Sequence, residues 1–168
     1  MWYVIWTATG KEEICKTQIE NVCSESSYIR VVIPKKKVSR KIKGLRQYVE
    51  VKLFPSYVLV ETDEVELLDE ELRNIVGFTR ILNHEGSFKA LDKKEADMIS
   101  RLIGDRDSVE ESIGYIEGDR IVITEGPMVG MESQIRYIDR HKRIAFIEIE
   151  LFDRLTEVKV PLEIVDKV

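Results

Sequence analysis

Helical periodicity runs through roughly the first hundred residues of this chain and then stops. Between Lys11 and Cys23, the apolar residues Cys15, Ile19, Val22 and Cys23 recur at i, i+4, i+7 and i+8, with Glu12, Glu13, Lys16 and Glu20 outside the stripe. Val65, Leu68, Leu72 and Val76 share a second face behind Asp63, a residue type that caps helices. Asp92 with Glu95 three residues on has the form of a capping box, followed by Ala96, Ile99, Leu102 and Ile103 up to Gly104. Asp105 to Ser112 (DRDSVEES) is polar and unpatterned, and beyond it only the two-residue period of strands remains. Arg120–Thr124, Ser133–Ile138, Arg143–Leu151 and Thr156–Val160 alternate between turns at Gly126-Pro127 and Asp153-Arg154. Five short strands from Ile113 onward predict a small barrel, because closure removes the edges of so short a sheet. The expected organisation is an α+β domain over 1–104, a linker over 105–112 and an all-β domain over 113–168.

The first domain supplies strands as well as helices. Met1–Ala8 (MWYVIWTA) reads as a buried strand, Tyr28–Ile33 as a second closed by Pro34, and Tyr48–Leu53, Tyr57–Val60 and Phe78–Leu82 as three more. Lys35 to Gln47, which contains Gly44, reads as a protruding hairpin or flexible loop. With 43% hydrophobic residues among 168, the chain can build a core, which excludes wholesale disorder. No apolar run approaches the ~20 residues that span a bilayer, and MWYVIWTATGKEEI lacks the features of a signal peptide, so the expectation is a soluble cytoplasmic protein. Cys15 and Cys23 on one helix would lie roughly 12 Å apart, too far for a disulfide, and read as small core residues.

Charge is segregated along the chain. The formal net charge is −5, yet Arg30 to Lys52 holds nine bases against Glu50 alone, a local charge of +8. Glu61 to Glu71 is the reverse, seven acids and no base. A second basic cluster comprises Arg136, Arg140, His141, Lys142 and Arg143, with Asp139 as its only acid. Fields within a Debye length, ~8 Å at physiological salt, govern how a polyanion binds, so an acidic total does not exclude nucleic acid.

Catalytic constellations are lacking. His84 and His141 fall in different expected domains, no glycine pattern forms a phosphate-binding loop, and Glu70-Glu71 or Glu148 with Glu150 are the carboxylates of solvated faces. The expectation is a protein that binds, with no catalytic residue, metal or cofactor.

Four segments carry a specific resemblance: WYVIWTATGKEE at the start, KLFPSYVLVE (Lys52 to Glu61), EGDRIVITEGPMVG (Glu117 to Gly130) and IELFDRLTEVKV (Ile149 to Val160). In order and spacing they resemble the NusG family of transcription elongation factors over nearly the whole chain. The resemblance implies an N-terminal NusG-type (NGN) domain of sheet plus helices, joined by a short linker to a KOW domain, an SH3-like all-β barrel. Two family glycines are serines here, Ser56 in FPSYV and Ser133 late in the KOW segment. A serine held at positive φ would be strained, and Ser133 is the position considered for it. The basic stretch KKKVSRKIKGLRQ and the cluster RYIDRHKR make the chain most similar to LoaP, the branch of specialised antiterminators acting on long operons.

The resemblance also implies partners and sites. The first domain would dock on the clamp helices of RNA polymerase through Trp2, Tyr3, Phe54, Pro55, Tyr57 and Ile81, with Phe54 and Tyr57 turned outward by the Pro-Ser kink as aromatic anchors. The KOW cluster Arg136, Arg140, His141, Lys142 and Arg143 is the expected reader of a structured leader-RNA hairpin, with Arg120, Arg154 and Lys159 as secondary contacts. Lys35, Lys36, Lys37, Arg40, Lys41, Lys43 and Arg46 are expected on nucleic-acid phosphates. Alternatives are a general elongation factor coupling polymerase to a ribosomal protein or termination factor through Ile135, Phe146 and Phe152, or a ribosome-associated KOW protein. The expected state is a monomer, held at the nucleoid through polymerase.

Overall fold

The structure is a computed structural model and describes residues 1–75, 77 and 79–166. Along the chain, β1 (Trp2–Trp6), α1 (Glu12–Val22) and β2 (Arg30–Val32) are followed by a hairpin of β3 (Lys35–Ile42) and β4 (Leu45–Lys52). Next come β5 (Tyr57–Glu61), α2 (Val65–Leu72), β6 (Arg80–Ile81), β7 (Asn83–His84), β8 (Ser87–Phe88) and α3 (Lys93–Ile103). A 3-10 turn at Gly104–Arg106 and β9 (Ser108–Val109) lead into β10 (Ser112–Glu117), β11 (Arg120–Glu125), a second 3-10 turn at Glu132–Gln134, β12 (Ile135–Asp139), β13 (Ile144–Leu151) and β14 (Arg154–Ile164). The chain divides into two compact units, Met1–Pro34 with Phe54–Ala96, and Lys35–Leu53 with the residues from Asp97 onward. The fold is α+β followed by an all-β sheet. Residues 105–112, expected as a linker, carry β9, which pairs parallel with Lys35 and Lys36 of β3. Two residues joined by main-chain bonds leave no periodic trace in a sequence.

In the N-terminal unit the antiparallel sheet has the order β2-β5-β1-β6. Tyr3 faces Val60 and Ile5 faces Val58, with Val31 beyond Val60 and Ile81 beyond Ile5. These residues form one core with Cys15 and Ile19 of α1 and Leu68 and Leu72 of α2. Val4, Leu59 and Val32 on the opposite face are buried too, which is why the strands read as apolar runs rather than as alternation. The capping box forms as expected: Asp92 Oδ1 accepts the Glu95 N–H at 2.8 Å and Glu95 Oε2 accepts the Asp92 N–H at 2.9 Å.

Three local expectations are corrected. Glu12, placed outside the α1 stripe, is fully buried, whereas Val22, placed inside it, is 51% exposed. The stripe is rotated because the Glu12 carboxylate accepts a main-chain N–H, which offsets the burial of its charge. Asp63 does not cap α2; its carboxylate lies 3.2 Å from the Met1 amino group, and Thr62 Oγ1 takes the Glu64 N–H at 2.8 Å instead. The turn between β13 and β14 is Phe152-Asp153, both at positive φ, and Arg154 already belongs to β14. Val76 on the α2 face and Phe78 at the start of an expected strand lie outside the described residues.

The C-terminal unit contains a five-stranded sheet of order β11-β10-β14-β13-β12 and a smaller one of order β4-β3-β9. Alternation is strict on β13, where Ala145, Ile147, Ile149 and Leu151 are buried with Val158, Val160 and Leu162 of β14. Gly126 has φ +97, and a Cβ there would stand 2.6 Å from the Cα of Ser112, whose own Oγ accepts the Met128 N–H. Gly126→Ala therefore lowers the unfolding free energy by roughly 1–3 kcal/mol through overpacking, measured from the denaturant midpoint. An unchanged midpoint would mean that Ser112 yields freely.

Candidate functional site

The FPSYV segment forms a tight turn between the ribbon strand β4 and β5. Phe54 O accepts the Tyr57 N–H at 3.2 Å, Pro55 fills the second position, and Ser56 the third with φ 74. This is the arrangement in which the third position ordinarily carries glycine. Three bonds hold Ser56 there: its N–H donates to Glu12 Oε1 at 2.7 Å, its carbonyl accepts the Thr7 N–H at 2.9 Å, and its Oγ lies 2.5 Å from Thr9 Oγ1. Phe54 is only 5% exposed, so the outward turn expected of it is taken by Pro55 and, in part, by Tyr57. Tyr3 and Ile81 are also buried, and Trp2 is half-buried with the Arg30 guanidinium 6.0 Å from its ring. Beside the turn lies a depression of about 270 Å³ lined by Thr7, Ala8, Ile14, Cys15, Gln18 and Thr79. Ile14, 49% exposed, is the apolar residue that the α1 stripe missed. Burial pushes the Cys15 thiol up to about 11, so it lines this depression as an inert apolar group.

The basic stretch is a regular ribbon. Ile42 pairs with Leu45 across Lys43-Gly44, whose φ values of 50 and 79 make the tight turn favoured in two-residue hairpins. Its cations divide by role. Lys36 Nζ donates to the Lys159 carbonyl at 2.8 Å and Lys37 Nζ lies 2.7 Å from Glu110 Oε1, while Tyr48 Oη donates to Glu111 Oε2 at 3.0 Å. Lys35 sits in the ladder, its N–H on the Asp107 carbonyl. Arg40, Lys41, Lys43 and Arg46 are exposed towards the tip, where Arg46 donates to Ser39 Oγ and none of the four meets a carboxylate among the described residues.

The second cluster flanks the connection between β12 and β13, in which Arg140, His141 and Lys142 are exposed. Arg136 lies 3.0 Å from Glu148, Arg143 3.1 Å from Glu163, Arg140 4.0 Å from Asp166 and Lys142 3.9 Å from Asp139. Arg143–Glu163 is half-buried, while the cations of the other three pairs are exposed, and exposed pairs contribute little and are readily exchanged for a phosphate. Tyr137, 60% exposed and with its ring centroid 5.4 Å from that of Phe146, is a contact surface the reading of the cluster passed over, although it sits within RYIDRHKR. Arg120, Arg154 and Lys159 are exposed, and Ile135, Phe146 and Phe152 are half-buried. Among the described residues, no three His, Cys, Asp or Glu come together as a metal site, and no helix is long and apolar enough to cross a membrane.

Residues 1–100 match the family model described as NusG, transcription termination factor. The chain belongs to the NusG family. It is 27% identical to the transcription termination/antitermination protein NusG of Haemophilus influenzae, over 99% of this chain and 94% of that protein. It is 27% identical to the Bacillus subtilis protein of the same name, over 99% of this chain and 97% of that one. A solved Thermotoga maritima NusG structure, titled for its domain interaction, has the same fold, with a TM-score of 0.60 at 24% identity over 96% of this chain and 92% of its own. Against the NusG pattern, the strained serine is Ser56; Ser133, in the second 3-10 turn, has no positive φ.

Two outcomes follow from this geometry. Ser56→Ala keeps the positive φ but loses the Thr9 bond, whereas Ser56→Gly relieves the backbone. The glycine variant is therefore the more stable by about 1 kcal/mol, read from thermal midpoints. Lys36 is held down to about 8 by burial and then by the Lys159 charge. The unfolded chain thus binds more protons between about 8 and the ordinary 10.5, and stability from this group rises with pH across that window. Subtracting the stability profile of Lys36→Met from that of the parent isolates this rise; a flat difference would contradict it.

Proposed function

We propose that this NusG-family chain is a processive antitermination factor of the LoaP kind, bound to RNA polymerase through its N-terminal domain and recruited to particular long operons by a leader-RNA hairpin. Residues 1–104 and 113–168 act as the polymerase-binding and RNA-reading modules. Pro55 and Tyr57 at the turn, the apolar depression near it, and Trp2 at the other end of β1 offer the docking surface for the clamp helices; Tyr3, Phe54 and Ile81 support it from the core. No bond is made or broken. Docking favours the elongating conformation and shifts the population away from paused states.

The observation that carries the RNA reading is the solvent-exposed Arg140-His141-Lys142 connection, flanked by Arg136 and Arg143. Guanidinium and ammonium groups there can exchange exposed intramolecular carboxylates for phosphates and for base edges of a loop. The Lys35–Arg46 ribbon adds phosphate contacts without sequence information. A second reading, a general elongation factor coupling polymerase to a ribosomal protein or termination factor through Ile135, Phe146 and Phe152, is favoured by similarity to termination/antitermination proteins over 99% of the chain.

Crosslinking the protein to RNA in growing cells and sequencing the bound transcripts separates the two. The recruited factor gives reads concentrated on hairpins in a few operon leaders, lost in Arg140→Gln/Lys142→Gln. Reads spread evenly over transcripts and unchanged in that variant would establish the general factor.

A further inference from the structure

The ribbon and the KOW strands belong to one compact unit. Lys36 is anchored on the main chain of β14, Lys37 on Glu110 and Tyr48 on Glu111, so three ribbon side chains tie it to the C-terminal residues. Lys159, whose carbonyl receives Lys36, lies opposite Phe146, which in turn lies opposite Tyr137 of the basic cluster. The Tyr48 phenol is raised first by its bond to Glu111, and the charges of Arg143 and Glu163 act on it as well.

We infer that the β3–β4 ribbon and the β12–β13 tip are two limbs of one RNA-binding face of the C-terminal unit, in which Arg40, Lys41, Lys43 and Arg46 hold phosphates and the Tyr48 ring stacks on an unpaired base. This rests on the RNA reading proposed above and assigns its division of labour. Lys41 and Arg46 stand directly opposite each other, and like charges in that register destabilise a hairpin. The fold keeps both, along with Arg40 and Lys43, and among the described residues supplies no carboxylate to any of them. At the tip, by contrast, Arg136 and Arg143 begin already paired with Glu148 and Glu163. Net attraction for a polyanion is therefore concentrated on the ribbon.

Tyr48 decides the class of ligand. It is 54% exposed, its hydroxyl is fixed on Glu111, and it shares a ribbon face with Ser39 and Arg46. A ring held this way is preorganised for stacking, which a duplex with every base paired does not use and an RNA loop does. Strands of eight residues reach roughly 26 Å, enough to follow several phosphates from the loop down a stem.

The test measures binding of the full-length protein to a synthetic stem-loop RNA, and to the DNA hairpin of the same sequence, by fluorescence anisotropy over a series of salt concentrations. Arg40→Gln/Lys41→Gln/Arg46→Gln should reduce the slope of log K against log salt by about 2, since each phosphate contact contributes about 0.7–0.9. Tyr48→Leu should weaken RNA binding about tenfold, and Tyr48→Phe, which keeps the ring and loses only the Glu111 bond, should recover most but not all of that loss. If the ribbon variant keeps the parent slope and Tyr48→Leu the parent affinity, while Arg140→Gln/Lys142→Gln abolishes binding, the shared face is wrong and the RNA reading of the tip survives. If the parent protein binds no RNA, or binds RNA and DNA hairpins equally with no response to Tyr48→Leu, both fail together.

Discussion

Strand β14 joins the β10–β11 hairpin to β13 in the five-stranded sheet, antiparallel to β13 over eight residue pairs and parallel to β10 over three. A two-stranded hairpin alone is marginal in water. Joined through β14, the strands bury Ile147, Ile149, Leu151, Val158, Val160 and Leu162 together. The β10 side depends on the close approach of Gly126 to Ser112. The same strand offers its Lys159 carbonyl to Lys36, so the interaction that completes the sheet also provides the anchor on which the basic ribbon rests.

A comparable dependence holds in the N-terminal unit at Ser56. A buried Glu12 carboxylate, a strained serine and the Thr7 main chain form one small polar assembly at the end of β1. It sets where Pro55 and Tyr57 emerge and turns Phe54 inward. Burying a carboxylate is costly unless hydrogen bonds receive it, so the turn and the first helical residue constrain each other. The surface of this turn is thus built on polar chemistry beneath an apolar exterior.

The average charge of the chain differs from its local charge. A chain of net charge −5 holds seven acids in Glu61–Glu71, while at the ribbon tip Arg40, Lys41, Lys43 and Arg46 meet no carboxylate among the described residues.

Much of this was legible in the residue order. The Asp92/Glu95 capping box, the Cys15–Ile19 stripe, the apolar β1 and β5 runs and the alternation of β13 are local patterns whose physics acts within a few residues, and all four are found in the structure. The Arg136–Arg143 cluster was visible as composition. What tertiary structure alone decided is where non-local partners meet: Glu12 beneath Ser56, Phe54 folded inward, β9 against β3, and the ribbon grouped with residues more than a hundred positions away. Sequence determines periodicity, because a repeating face needs only its own helix or strand. It leaves open which polar group is buried and which hairpin joins which unit, because those outcomes depend on hydrogen-bond partners supplied by distant parts of the chain.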